Sequence, residues 1–215
     1  SSDQGGYVMG TMAAMLAGDG SVGVIGPIEV GDAKLYVDGF VAGATATDPD
    51  LEVGVNYTDS FSDVALAAEA ATSFVDGGAT VLTGTAQMTV GAIGVASERG
   101  VLWFGTQSNQ TQVAREVVVA NQGYHCEVVL TDLSEGIDGG TLGGQTYDIN
   151  LANEGLVIEF NEDYDLPEDV RTAADEHVLF LTVHHIACDL WSMRLWREEL
   201  MERCTALVAG RAAEL

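Results

Sequence analysis

The sequence predicts an α/β fold: a doubly wound, mostly parallel sheet with a strand–helix extension at its carboxyl end. Residues 21–63 carry the first reason, because an apolar run, a helical stretch and a second apolar run follow one another through tight connections. Strand, helix, strand in that order is a βαβ unit, which sets the strands parallel and covers both faces of the sheet. The second reason is repetition. Short apolar runs recur at 79–84, 101–104 and 116–120, with helix-length segments between most of them. The third is punctuation, since Gly18-Asp19-Gly20, Asp48-Pro49-Asp50, Gly77-Gly78 and Gly100 fall at the joints.

Taken in order, residues 7–17 have helical apolar spacing, and the methionines there read as packing groups. Residues 22–26 form a buried strand. Gly31 and Asp32 open a helix whose apolar side holds Leu35, Val37, Phe40, Val41 and Ala44. Pro49 stops it, because the residue before proline is pushed out of the α region. Residues 51–57 make the second strand, and the loop 58–63 lies at its carboxyl end, where open α/β sheets bind ligands. Ser62 or Asp63 caps a helix with Ala67, Ala70, Ala71 and Phe74 on one face. The third strand is 79–84, a helix runs from Thr89 to Gly100, and the fourth strand is 101–104. A polar loop is expected at 105–112, a fifth strand at 116–120 and a helix at 123–137 bearing Val128, Val129 and Leu133. Residues 146–151 and 156–160 alternate and predict a hairpin or an edge pair. After the loop 161–167, Pro167 sits in the first turn of a helix reaching about residue 176. The tail predicts a strand at 178–183, then a helix with Met193, Trp196, Leu200, Cys204 and Leu207 in one stripe.

Composition narrows the function. The 215 residues carry a net charge of −25, with Lys34 the single lysine. Such a surface repels nucleic acid and anionic membranes, so neither is expected as a partner. Excess carboxylate with almost no lysine predicts adaptation to high salt, where screening removes self-repulsion. No run is long enough to span a membrane, and no signal peptide is recognised. Cys126, Cys188 and Cys204 have no metal or redox spacing, so no metal and no cofactor are expected. The charge breaks near residue 176: almost all of the −25 lies before it, while the last 39 residues hold half of the 8 basic groups. That break predicts a junction between two unrelated sequences.

Four stretches carry a resemblance: GGYVMGTMAAML, VDGFVAG, SFSD, and DGGTLGGQTYDINLANEGLVIEFNEDYDLP. In this order they resemble the basic membrane protein family over about residues 4–176. Those proteins are solute-binding lipoproteins of ABC transporters, several of which bind purine nucleosides. The resemblance implies one lobe, the second, of a type I periplasmic-binding-protein fold over residues 1–160, with a closing family segment at 161–176. It further implies a small polar solute, a transporter permease as partner, and a place at the extracellular face of the membrane. The lipid anchor and the first lobe would lie outside this chain. No catalysis is implied.

The resemblance also names site residues. An aromatic residue in the loop after the second strand stacks on the base in such relatives, and Phe61 holds that place; folding into the core is the alternative. The relatives have a Gly-Gly pair after the third strand, where this chain has Gln87 and Met88. After the fourth strand an Asp-Ser-Asp follows a glycine, where this chain has Gln107 and Asn109 beyond Gly105. Amides there would both donate and accept, although a solvated polar loop explains them equally. The family's lysine has no counterpart near Asn121.

The tail, 177–215, has a second resemblance. His184-His185-Ile186-Ala187-Cys188-Asp189 is similar to the HHxxxDG motif of nonribosomal peptide synthetase condensation domains. There the second histidine, here His185, is the proposed catalytic group and the aspartate, here Asp189, is structural. Leu190 replaces the glycine, and only about 39 residues match, so the motif is read as inactive. Neighbouring histidines on a strand would point to opposite faces and hold no metal. A condensation-domain fragment, or an artificial fusion without activity, is the alternative to a binding protein.

Overall fold

The computed structural model describes residues 2–187. The chain forms α1 (Ser2–Leu16), β1 (Ser21–Gly26), α2 (Gly31–Thr47), β2 (Val53–Tyr57), α3 (Val64–Asp76), β3 (Ala79–Gly84) and α4 (Thr89–Arg99). It continues with β4 (Leu102–Gln107), β5 (Val118–Tyr124), α5 (Glu127–Asp138), β6 (Leu156–Phe160) and α6 (Glu168–Ala187). The strands make one sheet in the order β2-β1-β3-β4-β5-β6. Strands β1 to β5 are parallel, and β6 closes the sheet antiparallel to β5.

Alternation along each strand divides the core in two. Val22, Val24, Val81, Phe104 and Val119 meet Val8, Met9 and Met12 of α1, Tyr36 and Phe40 of α2, and Val170 and Ala174 of α6. On the other face Ile25, Leu82, Trp103 and Val118 meet Ala67, Ala70 and Ala71 of α3 and Ala92, Ile93 and Ala96 of α4. Two-sided burial is what a parallel sheet requires. Helices α1 and α2 touch backbone to backbone. Gly6 and Gly10 face the Tyr36 and Phe40 carbonyls, while Gly39 and Gly43 face those of Asp3 and Tyr7. Helix α5 is the exception to burial: none of its residues is buried, and Leu130 and Ile137 stand 61% and 50% exposed.

Several expectations need correction. Leu35 is 46% exposed, and the neighbouring Tyr36, fully buried, packs in its place. Of the two caps expected for α3, Asp63 is the one used, accepting from Ala65 N at 3.0 Å and Leu66 N at 3.2 Å. Residues 105–107 belong to β4, and 121–124 to β5, because the parallel ladder runs on through Gly105↔Asn121 to Gln107↔Gly123. Their polar side chains hid this, yet Thr106 and Asn121 are buried and hydrogen-bonded. Accordingly α5 starts at Glu127 and not at 123. No hairpin joins 146–151 to 156–160: β6 pairs with β5, and 146–151 is irregular. Pro167 stands just outside α6, its carbonyl accepting from the Val170 and Arg171 amides at 3.1 Å. The expected strand at 178–183 is helical, since α6 runs unbroken to Ala187 and carries His184 and His185. The expected junction at residue 177 therefore falls inside one helix. Asp189, Leu190, Cys188, Cys204 and the stripe from Met193 to Leu207 lie outside the described residues.

Candidate functional site

Five parallel strands end at one edge, so the loops after β1, β2, β3 and β4 gather there, at the carboxyl end where α/β sheets bind ligands. The loop after β2 is tied down at both ends. Thr58 N donates to Gly26 O at 3.0 Å, and Met88 N donates to Phe61 O at 3.0 Å. Inside the loop, Thr58 Oγ1 donates to Ser60 O at 3.0 Å, and Ser60 Oγ accepts from Asp63 N at 3.0 Å. These bonds fix the Phe61 backbone. Its ring joins neither core cluster and is 49% exposed, so the alternative of core packing is not what the structure shows.

Of the pair after β3, only Gln87 reaches the surface. Met88 is fully buried beside Trp103 and Ile93, and Thr58 Oγ1 donates to its Sδ at 2.9 Å. Gln107 ends β4 and is exposed. Asn109 is exposed as well, but its Oδ1 accepts from Thr111 N at 3.0 Å and Asn121 Nδ2 at 3.4 Å, so it works as a staple of its own loop. The buried Asn121 completes that staple by accepting from Gln110 N at 2.9 Å, and Trp103 Nε1 donates to Gln110 Oε1 at 2.8 Å. Phe61, Gln87, Gln107 and Asn109 thus share one end of the sheet, on three separate loops.

Backbone strain collects at the same edge. Asp59, Ala86 and Gln107 have φ of 56°, 82° and 70°, although none is glycine. Each such residue costs on the order of 1–3 kcal/mol and persists where the surroundings over-determine it, as at ligand sites. A polar cluster that sequence reading missed stands nearby. Ser2 Oγ lies 2.6 Å from both Asp32 carboxylate oxygens and 2.6 Å from Tyr124 OH. Tyr124 OH lies 3.2 Å from Asp32 Oδ2 and accepts from Gln122 Nε2 at 2.9 Å. Burial pushes the Tyr124 hydroxyl above its ordinary pKa. Residues 2, 32 and 124 are too far apart in sequence for any local pattern to join them. Lys34 donates to Asp38 at 2.9 Å, and this carboxylate holds its ammonium above the ordinary value.

Among the described residues, no group of three acidic, histidine or cysteine side chains is placed to hold a metal. A depression of about 370 Å³ lies at the opposite end, lined by Gly18, Asp19, Asp48, Asp50 and Gly78. Its location at the amino ends of the strands argues against it as the solute site. A groove of about 330 Å³, lined by Asn56, Thr58, Leu66 and Glu69, runs beside the Phe61 loop.

Known proteins are similar to this chain in sequence and in fold. A purine-binding protein of Brucella abortus is 29% identical over 173 residues, covering 80% of this chain and 49% of its own length. Basic membrane protein A2 of Borrelia garinii is 27% identical over 123 residues, 56% of this chain and 36% of the relative. A solute-binding protein of an ABC transporter system from Conexibacter woesei superposes with a TM-score of 0.71 at 24% identity, over 88% of this chain and 63% of that one. This chain therefore spans about half the length of the Brucella relative, and the structural likeness establishes the fold. The family described as ABC transporter substrate-binding protein PnrA-like, the Bmp family, matches residues 1–177, which take in the whole sheet, α1 to α5 and the first half of α6. With a periplasmic-binding-protein lobe and that match over most of its length, the chain belongs to the Bmp family of ABC transporter substrate-binding proteins.

Proposed function

We propose that the chain is the second lobe of a solute-binding protein that delivers a purine nucleoside, or a related heteroaromatic solute, to an ABC transporter permease at the outer face of the cell membrane. One observation carries the reading: Phe61, 49% exposed, is pinned by its own carbonyl at the carboxyl end of the sheet. An exposed aromatic ring on a backbone held in that position offers a stacking platform to a flat heterocycle. The purine-binding name of the Brucella relative supports the same solute class. The reading assigns no reaction to the chain and none to His184, His185 or Asp189. A lipid anchor on the full-length precursor belongs to this proposal too.

A two-lobed protein closes over its solute, so a single lobe leaves one solute face in water and loses much of the burial that drives binding. The isolated chain is expected to bind adenosine, guanosine and inosine at about 0.1–1 mM or weaker. Replacing Phe61 by alanine should weaken the best of them about 2- to 13-fold, the equivalent of a ring contact of about 0.5–1.5 kcal/mol. Calorimetry and NMR titration measure both. Submicromolar binding by the chain alone refutes the half-site argument, and a Phe61→Ala variant with unchanged affinity refutes the platform.

A further inference from the structure

We infer that the apolar stripe of residues 193–207 docks on the exposed apolar side of α5, so that the tail of this chain covers that helix at the carboxyl edge of the sheet. The inference is independent of the solute reading above and concerns a surface that reading leaves unused.

Helix α5 has a side that needs a cover. On a helix of about 3.6 residues per turn, Val129, Leu130, Leu133 and Ile137 fall on one side. Leu130, Leu133 and Ile137 are exposed, and no residue of the helix is buried. A helix of 12 residues is marginal in water unless its apolar side packs against something. Asp132 lies beyond one border of that side, Glu127 and Asp138 beyond the other, and all three are exposed.

The sequence of the tail is complementary. Met193, Trp196, Leu200, Cys204 and Leu207 recur at helical spacing, with Arg197 and Arg203 at the two borders of the stripe. Glu198, Glu199 and Glu202 fall farther round. Stripe on stripe therefore sets basic borders against acidic ones. Two copies of α5 laid together would set carboxylates against carboxylates, on chains of charge −25 each, which argues against a second copy as the cover.

The path of α6 brings the tail to the right place. Strand β6 runs antiparallel to β5 and finishes beside Ala120, near the amino edge, so α6 sets out from that edge. It meets α1 on the way, the His177 and Tyr7 ring centroids lying 5.6 Å apart. Helix α1 starts at the carboxyl edge, where Ser2 meets Tyr124 at the end of β5. At about 1.5 Å per helical residue, Tyr7 stands about 8 Å along from Ser2, and Ala187 about 15 Å along from His177. Helix α6 therefore ends beyond the start of α1, at the edge from which α5 departs. The stripe begins at Met193, and the few residues between span up to about 20 Å when extended.

Hydrogen exchange of the full chain at low micromolar concentration, read by mass spectrometry, tests the contact. Amides of α5 should exchange about tenfold more slowly in the parent than in a variant carrying Trp196→Asp and Leu200→Asp, with β1 and α4 unchanged as the control for folding. Arg197→Glu together with Arg203→Glu should act in the same direction by a smaller factor. Leu133→Asp in α5 should in return speed exchange across residues 193–207, and the tail variants carry the test if that substitution unfolds the lobe. Exchange of α5 that is alike in the parent and the Trp196→Asp, Leu200→Asp variant overturns the inference. Exchange across 193–207 that ignores Leu133→Asp in a folded lobe overturns it as well. So does protection of α5 that disappears on dilution, since a second copy is then the cover.

Discussion

Replacing Gly6 by alanine tests the backbone contact between α1 and α2 on which one whole face of the sheet depends. A methyl carbon at Gly6 would stand 2.5 Å from the Tyr36 carbonyl oxygen and 3.0 Å from the Phe40 amide nitrogen. Relaxed contacts need roughly 3.5 Å, so the helices must part by about 1 Å. Neither neighbour is a side chain that can turn aside, and Val8, Met9, Met12 and Phe40, all fully buried, move with the helices. Overpacking of this kind costs about 1–3 kcal/mol, and alanine's better helix propensity returns about 1 kcal/mol. The matched control is Gly94→Ala in α4, where the position is exposed and nothing lies within 4 Å. There the propensity gain of about 1 kcal/mol stands alone. For a chain of this size each kcal/mol moves Tm by about 2–4 °C. Circular dichroism should therefore show Gly94→Ala melting about 2–4 °C above the parent and Gly6→Ala up to about 8 °C below it. Gly6→Ala melting level with or above Gly94→Ala would refute the claim that the α1–α2 contact admits no side chain.

Three other outcomes are expected. Asp63→Ala removes the acceptor for Ala65 N and Leu66 N, so Tm should fall by about 2–4 °C for a loss of about 1 kcal/mol, with Asp63→Asn recovering most of it; equal losses from both variants would refute the cap. Because the net charge is −25, thermal melting should rise from low to molar potassium chloride, and an unchanged Tm counts against adaptation to salt. Burial, opposed by Glu176, holds the His177 imidazole below its ordinary pKa of 6.5, so the unfolded chain binds the extra proton more readily. Stability is then lost as pH falls from 6.5 toward the folded value, and His177→Gln should flatten that part of the profile; parallel profiles would refute it.

One more prediction concerns the tail. Cutting after Glu176 keeps Val170 and Ala174, which are buried on the first half of α6, and should leave a cooperative melt. His185→Ala should leave nucleoside binding unchanged. A truncated chain that fails to fold would show that the rest of α6 is integral to the lobe.

What could be read from the sequence was whatever local chemistry decides. The strand 79–84 and the helix from Thr89 to its left-handed stop at Gly100, φ 67°, fall where expected, because apolar runs and glycine punctuation act over a few residues. The parallel βαβ order, the family and the loop that carries Phe61 were legible for the same reason. Tertiary structure decided the rest. Thr106, Asn121 and Gln122 read as loop by polarity, yet they are buried strand residues, most of their polar atoms satisfied by partners that only the assembled sheet supplies. Whether Phe61 turned inward or outward depended on Met88, whose side chain fills the core while its amide holds the Phe61 carbonyl. The antiparallel seat of β6 on β5 followed from which edge was vacant, which no alternation pattern records. Asp32 met Ser2 and Tyr124 only because the amino ends of α1 and α2 and the carboxyl end of β5 come together at the same edge of one sheet. Hydrogen bonds between residues so distant in sequence are chosen by packing, and packing is a property of the folded chain.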